Sequence, residues 1–223
     1  MGKAIEKIAL QRKHEIVLKV ENENDLKHIQ RADIAIDFSV PSAAYNNIST
    51  CIKNHVPVIS GTTGWLDKYD EIVNLCNKEK GAFIYASNFS LGVNIFFEIN
   101  QQLAKLMANY EDYNVSIEEI HHTQKLDAPS GTAITLANQI LEKINKNKWV
   151  LGETDQDNEL PIIAKRIENV PGTHHVTYKN NIDKIEIIHT AKNRKGFALG
   201  AVVAAEWLVG KQGIFTLRDV LGI

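Results

Sequence analysis

Two adjacent histidines, His121 and His122, stand four and three residues ahead of Lys125, and a Pro-Ser-Gly-Thr turn follows at Pro129–Thr132. The whole run, Glu118–Ala133, reads E-E-I-H-H-T-Q-K-L-D-A-P-S-G-T-A. An imidazole exchanges a proton near neutral pH, so His121 or His122 can supply one. Lys125 adds a full positive charge. Ser130 is a good helix N-cap, Pro129 fixes the way into the helix, and Gly131 lets a ligand approach the backbone. Free N–H groups and the positive end of the helix dipole, at Ser130, Gly131 and Thr132, then suit a carboxylate or phosphate. Each feature has a plainer explanation: a turn and a cap, a packed histidine, a solvated lysine. Their joint placement is what points to an anionic substrate held at one end and protonated at the other. No metal is expected, because Cys51 and Cys76 lie far away and no second His/Cys pair has ligand spacing.

The elements that must position these residues are legible on either side. Asn114–Ile120 alternates like a strand, with Val115, Ile117 and Glu119 on one side. From Ala133 to Ile144, Ile134, Leu136, Ala137, Ile140, Leu141 and Ile144 recur at helical spacing. The cluster therefore occupies a loop between a strand end and a helix start, where sites are commonly placed.

Before this stretch, strand and helix alternate. Met1–Arg12 is helical, Ile16–Val20 a strand, Asp25–Gln30 a short helix or loop, and Ile34–Phe38 a strand. Ala43–Asn54 is helical, Val56–Ser60 a strand, Asp67–Lys80 helical and Ala82–Ala86 a strand. That alternation predicts a parallel sheet covered on both faces. After the long helix Val93–Met107 the pattern changes. Lys146–Glu159 reads as a polar connection, and Pro161–Glu168, His174–Tyr178 and Lys184–His189 are strands with no helix between them. With Asn114–Ile120 they make a mixed or antiparallel sheet of about four strands. Phe197–Val209 and Leu217–Leu221 are helical. The fold class is α/β: a Rossmann-like parallel-sheet dinucleotide domain, residues 1–90 and 195–223, plus an α+β domain, residues 91–194.

The chain has 223 residues, 44% hydrophobic and 23% charged, with net charge −2, and its pI is near 6.4. This balance argues for a soluble globular protein and against nucleic acid or an anionic membrane as partner. Its two cysteines are too few for a disulfide framework and are expected as reduced core thiols in a cytoplasmic protein.

In a dinucleotide fold, ligands bind at the carboxyl ends of the parallel strands. Glu21 follows one such end and can accept hydrogen bonds from ribose hydroxyls, or be a solvated loop residue. Ser39 closes Asp37-Phe38-Ser39 and can line a pyrophosphate, or cap the helix after Pro41. Gly61-Thr62-Thr63-Gly64 permits close approach to a ring or phosphate, or is a plain turn. Gly2 fits the last glycine of a G-x-G-x-x-G fingerprint, with Glu21 at about the ~20-residue offset that such folds use. The opening strand and first two glycines of that fingerprint do not appear in this sequence, which puts cofactor binding in question.

The run E-I-H-H-T-Q-K-L-D-A-P-S-G-T-A closely resembles the signature of the 4-hydroxy-tetrahydrodipicolinate (dihydrodipicolinate) reductases. H-T-A-K-N-R-K-G-F-A-L-G-A-V-V-A-A-E-W-L, from His189, is similar to the same family. The resemblance implies reduction of a cyclic dicarboxylate by NADH or NADPH in lysine and diaminopimelate biosynthesis. It implies His121 as proton donor and Lys125 as the group neutralising developing charge, although the residues leave open that Lys125 is the acid. Ser130, Gly131, Thr132 and His122 would bind the substrate carboxylates. The Gly61–Gly64 loop and Ala86-Ser87-Asn88-Phe89 would hold the nicotinamide. Glu21, Asn22 and Val40 stand where NADPH-preferring members often carry arginines, so NADH should serve at least as well. The resemblance also implies a homotetramer, the last helices folded back on the first domain, and hinges near Phe89–Leu91 and Arg194–Gly196. His174, in a Gly-x-His match, is either a cleft residue or one of a strand-edge pair; Arg194 and Lys195 are ligand contacts or hinge. Two other readings are a related oxidoreductase of another small acid and a dicarboxylate-binding protein that has lost its cofactor.

Overall fold

The structure, a computed structural model, describes residues 1–193 and 195–223. The expectations for Arg194 lie outside the described residues. The chain forms two compact units, Met1–Asn94 with Lys195–Ile223, and Ile95–Arg194. In chain order the first contains α1 (Gly2–Gln11), a 3₁₀ helix (Glu23–Arg31), β1 (Ala35–Asp37), α2 (Pro41–Lys53), β2 (Val58–Ser60), a 3₁₀ turn (Leu66–Lys68), α3 (Tyr69–Lys78) and β3 (Ala82–Tyr85). Helix α4 (Leu91–Met107) runs into the second, which holds β4 (Asn114–His121), α5 (Gly131–Leu141), β5 (Lys148–Leu151), β6 (Glu159–Arg166), β7 (Thr173–Lys179) and β8 (Lys184–Thr190). The chain returns to the first unit with α6 (Lys195–Leu208), β9 (Gly213–Phe215) and α7 (Leu217–Leu221).

The first unit is a parallel sheet in the order β1-β2-β3-β9. Alternation along its central strands sends neighbouring side chains into two cores. Val58 and Phe83 face Ile48 and Ile52 of α2 and Ile72 of α3. Ile59 and Ile84 face Ile5 and Ile8 of α1 and Ala201 and Val202 of α6. Burial on both faces is what a parallel sheet requires. Cys51 and Cys76 are free and buried, and burial pushes the Cys51 thiol up to about 12. Helix α6 turns small residues, Ala198, Gly200, Ala201, Ala204 and Ala205, toward its core, which lets its backbone come close to the strand-end loop at Phe89.

Two expectations fail here. Ile16–Val20 forms no strand. A strand exists only through its neighbour's hydrogen bonds, and β1 is an edge of the sheet among the described residues. Ile16 and Leu18 keep only the packing part of the pattern, each lying partly buried against a core. Short β9 was also missed: Gly-Ile-Phe is too brief to show a period.

The second unit is a mixed sheet in the order β5-β6-β4-β7-β8, five strands rather than four. Strand β5 lies inside the stretch read as a polar connection. It is an edge strand with only its middle residues half-buried, so no alternation marks it. Strands β5, β6 and β4 run parallel, while β7 and β8 are antiparallel to their neighbours. One face packs Val115, Ile117, Leu160, Ile162, Val176 and Tyr178 against α4 and α5.

Gly200 generates a stability prediction. A Cβ there would stand 1.7 Å from the Phe89 carbonyl oxygen, whereas at Gly196 the nearest atom is 3.6 Å away. Gly200→Ala should therefore destabilise by at least ~1–3 kcal/mol, as overpacking does. In a chain of this size that is a melting shift of roughly 2–4 °C per kcal/mol. Gly196→Ala should melt like the parent, and thermal denaturation of the two variants checks both outcomes.

Candidate active site

Strand β4 sets the geometry of the cluster. Its burial alternates so that Val115, Ile117, Glu119 and His121 all face inward. The first two are apolar and complete the core; the last two sit where the core meets the strand end. Glu119 is fully buried. A carboxylate removed from water must be paired and hydrogen-bonded, and it is paired on both oxygens. Oε1 accepts from Arg166 Nη2 at 3.0 Å, and Oε2 is bonded to His121 Nδ1. Burial pushes the Glu119 carboxyl up, but the hydrogen bonds from His121 and Arg166 outweigh it and hold the group below its ordinary value.

Arg166 reaches this place because β6 lies parallel to β4, with Arg166 directly opposite His121. All three of its guanidinium nitrogens donate. Besides Glu119 it donates to the carbonyl of Asp127 at 2.6 Å, of Lys125 at 3.3 Å and of Lys165 at 2.7 Å. One guanidinium thus joins the buried carboxylate to the loop that carries Lys125. Lys125 itself donates to both carboxylate oxygens of Asp127, at 2.8 and 2.7 Å, and holds the Asp127 carboxyl below its usual range.

Strand β7 supplies the third wall. Antiparallel pairing sets His174 opposite Glu119, and its ring stands edge-on to that of His121, centroids 5.1 Å apart. His174 is buried, with Nε2 3.1 Å from Ser130 Oγ. The same hydroxyl caps α5 by accepting from the Ala133 N–H at 3.2 Å. The structure thus ties the helix start to the histidine pair. Gly131 is exposed with open space where a Cβ would stand, and Thr132 and His122 are half-buried.

His121, Lys125, Ser130 and His174 are brought together in this unit. Sequence reasoning did not single out Arg166 or Asp127, and it named Glu119 only as lying on the inward side. Its signal was present: a carboxylate at a buried alternation position must find a cation. Which cation depends on β4–β6 pairing, which no local pattern encodes. Donor atoms of Glu119, His121 and His174 lie within 4.8 Å of one another. These are metal-ligating types, but the Arg166 guanidinium on Glu119 opposes a further cation, and the arrangement is better suited to handling a proton.

In the first unit Ser39, Gly61–Thr63 and Ala86–Phe89, among the predicted nucleotide residues, follow the carboxyl ends of β1, β2 and β3. A buried carboxylate again organises them. Asp37 accepts from Ser39 Oγ at 2.7 Å, Asn47 Nδ2 at 3.1 Å, Ser60 Oγ at 2.8 Å and Thr62 Oγ1 at 2.7 Å. Thr62 Oγ1 also accepts from the Ser39 N–H at 2.8 Å. Ala86 N–H donates to the Ser60 carbonyl at 3.2 Å. A Cβ on Gly61 would meet the Phe38 ring at 2.3 Å, so an internal contact already demands this glycine. Thr62 and Phe89 lie beneath the surface, while Ser39, Thr63, Gly64 and Ser87 are exposed at the loop tips. Asn88 Oδ1 accepts from the Ser90 N–H at 2.8 Å. Glu21 is exposed, and its N–H is directed to Asp25 Oδ2 at 2.9 Å. Gly2 opens α1 with nothing near a would-be Cβ.

His174 gives a pH prediction. Burial first, then the neighbouring positive groups, lowers its pKa from 6.5 to about 3. Between those values the unfolded chain binds a proton that the folded chain refuses. Stability from this group is therefore complete above pH 6.5 and falls as pH drops toward 3. His174→Gln should lose less stability than the parent between pH 7 and pH 5, read as the change in urea midpoint.

Two family models match the chain: dihydrodipicolinate reductase, N-terminus, over residues 1–89, and dihydrodipicolinate reductase, C-terminus, over residues 92–221. The 4-hydroxy-tetrahydrodipicolinate reductase of Christiangramia forsetii is 64% identical over 225 residues, covering 99% of this chain and 93% of that protein. The protein of the same name from Methanoregula boonei is 35% identical over 198 residues, 87% of this chain and 76% of its own. A solved dipicolinate-bound dihydrodipicolinate reductase from Paenisporosarcina sp. TG-14 has the same fold, with TM-score 0.71 at 24% identity over 94% of this chain and 83% of that one. The chain belongs to the dihydrodipicolinate reductase family.

Proposed function

We infer that this chain reduces 4-hydroxy-tetrahydrodipicolinate to tetrahydrodipicolinate with NADH or NADPH, in lysine and diaminopimelate biosynthesis. The observation that carries this beyond family membership is the joined cluster of His121, Lys125 and the Ser130-capped helix α5, all on one rigid strand–loop–helix frame. The substrate is a dianion. Lys125, the open helix start at Gly131 and Thr132, and His122 supply its positive and N–H partners. Lys125 is already neutralised by Asp127, so a substrate carboxylate competes with an exposed internal one. The nicotinamide supplies a hydride when bound. The hydroxyl leaves as water with a proton from an adjacent ring carbon, and after hydride reaches the unsaturated ring a proton is taken up on carbon. His121 is the donor of that proton, and Lys125 offsets charge that develops on the ring.

The cofactor is assigned to residues 1–90 and 195–223, which lie within the first unit, and substrate binding and oligomerisation to residues 91–194. Ser39, Thr63, Gly64 and Ser87 fit the cofactor as exposed, uncharged groups at the carboxyl ends of parallel strands, where dinucleotides bind. Thr62 and Phe89 hold these loops from below. Gly2 and Glu21 are assigned to the pyrophosphate and ribose. The exposed Glu21 carboxylate disfavours a 2′-phosphate, so NADH should serve at least as well as NADPH. The homotetramer is supported by the sheet face away from α4 and α5, where Ile188 is 53% exposed on a strand already paired to its neighbour. A cytoplasmic location is supported by the two buried free thiols. Among the described residues no helix is long and apolar enough to cross a membrane.

Loss of nicotinamide absorbance on adding 4-hydroxy-tetrahydrodipicolinate tests the activity, with NADH and NADPH compared side by side. No turnover with either would defeat it. Within that assay, His121→Gln should slow turnover by ~10²–10⁴-fold, with NADH affinity unchanged by fluorescence titration. Lys125→Ala should raise KM for the dicarboxylate and lower kcat. Wild-type kinetics in that variant would remove Lys125 from the site.

A further inference from the structure

We propose that Glu119 is a positioning residue for His121: clamped by Arg166, it holds the Nδ1 proton of the imidazole and so commits Nε2 to proton transfer. The inference rests on His121 being the donor.

The geometry allows Glu119 little else. Its two oxygens have different partners, Arg166 on Oε1 and His121 on Oε2. Arg166 is itself fixed by three backbone carbonyls, so the carboxylate cannot turn away from the imidazole. His121 Nδ1 is thereby occupied. The other ring nitrogen looks toward Gly172, where a Cβ would come within 3.0 Å of Nε2. A glycine at this point leaves the Nε2 side uncrowded, and the side chain keeps 11% of its surface exposed.

The remaining charged and titratable neighbours are consistent with this assignment. His174, from β7, is kept neutral by burial and is no competing donor at neutral pH. His189, from β8, is likewise shifted toward the neutral form by burial. Lys125, from the loop, is engaged with Asp127. The acceptor Glu119 serves His121 on both sides of the transfer. As imidazolium, His121 gives the Nε2 proton to the substrate carbon. It is left as the neutral Nδ1–H tautomer, still hydrogen-bonded to the same carboxylate. No proton has to move to Glu119, and the ring need not rotate. Which ring nitrogen carries the proton is set by the hydrogen bond that the other nitrogen makes.

A purely structural Glu119 would only satisfy Arg166 and staple the loop, and the two roles separate experimentally. Glu119→Gln keeps size and an acceptor oxygen, but its amide can also donate to Nδ1 and so permit the wrong tautomer. Turnover should fall at least ~10-fold, while KM for the dicarboxylate and NADH affinity stay within about threefold. In 15N-histidine-labelled wild type, with the signal assigned by its loss in His121→Gln, neutral His121 should appear as the Nδ1–H form. That spectrum decides the matter even if Glu119→Gln does not fold. An Nε2–H tautomer in wild type, or a folded Glu119→Gln with wild-type turnover, overturns the proposal. If His121→Gln is inactive while Glu119→Gln is not, only the positioning role falls. If His121→Gln remains active, the donor assignment falls and takes this inference with it.

Discussion

The second unit depends on one buried carboxylate. Glu119 has no exposed surface, and leaving a charge there alone would cost several kcal/mol. The structure offsets that cost with a bound arginine and a bound imidazole rather than by protonation. The same arginine reaches across to the carbonyls of Lys125 and Asp127. One desolvated charge therefore fixes a strand, its partner strand and the loop between β4 and α5. Breaking it would release the imidazole and the lysine together, which makes the cluster a single unit rather than a set of residues near one another.

The first unit solves a similar problem with neutral donors. Asp37 is buried at the end of β1 and is surrounded by hydroxyls and an amide instead of a cation. Hydrogen bonds to a carboxylate are strong enough to hold loop geometry. Here they tie the ends of β1 and β2 to helix α2, using Ser39 and Thr62, two residues that the sequence alone assigns to the ligand. Thr62 shows the difference. Its hydroxyl bonds inward to Asp37, and its neighbour Thr63 is the one left exposed. The loop tips present uncharged groups on a frame held from beneath.

Helix α5 links the proposed anion site to the histidine pair. Ser130 satisfies the Ala133 N–H and is also in contact with His174. The helix start is thus anchored to β7 at His174, which lies opposite Glu119 of β4 in register. Gly131 remains open above it. Rigid strands position the imidazoles, while the capped helix end leaves Gly131 exposed, which is where the function proposed above places the arriving dicarboxylate. In the proposed function the two jobs fall to different elements, because proton transfer needs fixed geometry and anion capture needs accessible N–H groups.

The sequence by itself determined the class of the fold and most of its elements. Periodicity marked β4 and its inward residues Val115, Ile117 and Glu119, helices α4, α5 and α6, and the alternation that makes a parallel sheet. It also placed His121, Lys125 and Ser130 in one run, because all three lie within ten residues of chain and local spacing is what a sequence displays directly. Edge strand β5 and short β9 escaped it, since half-burial and brevity erase the period. Ile16–Val20 had the pattern of a strand but pairs with no strand among the described residues, and pairing is a tertiary fact. Only the tertiary structure decided that Arg166, forty-seven residues from Glu119, is the cation for that carboxylate, and that His174 closes on Ser130. Both follow from the parallel β4–β6 and antiparallel β4–β7 register. A register is set by the packing of a whole sheet face, so residues far apart in the chain become neighbours without leaving a local mark.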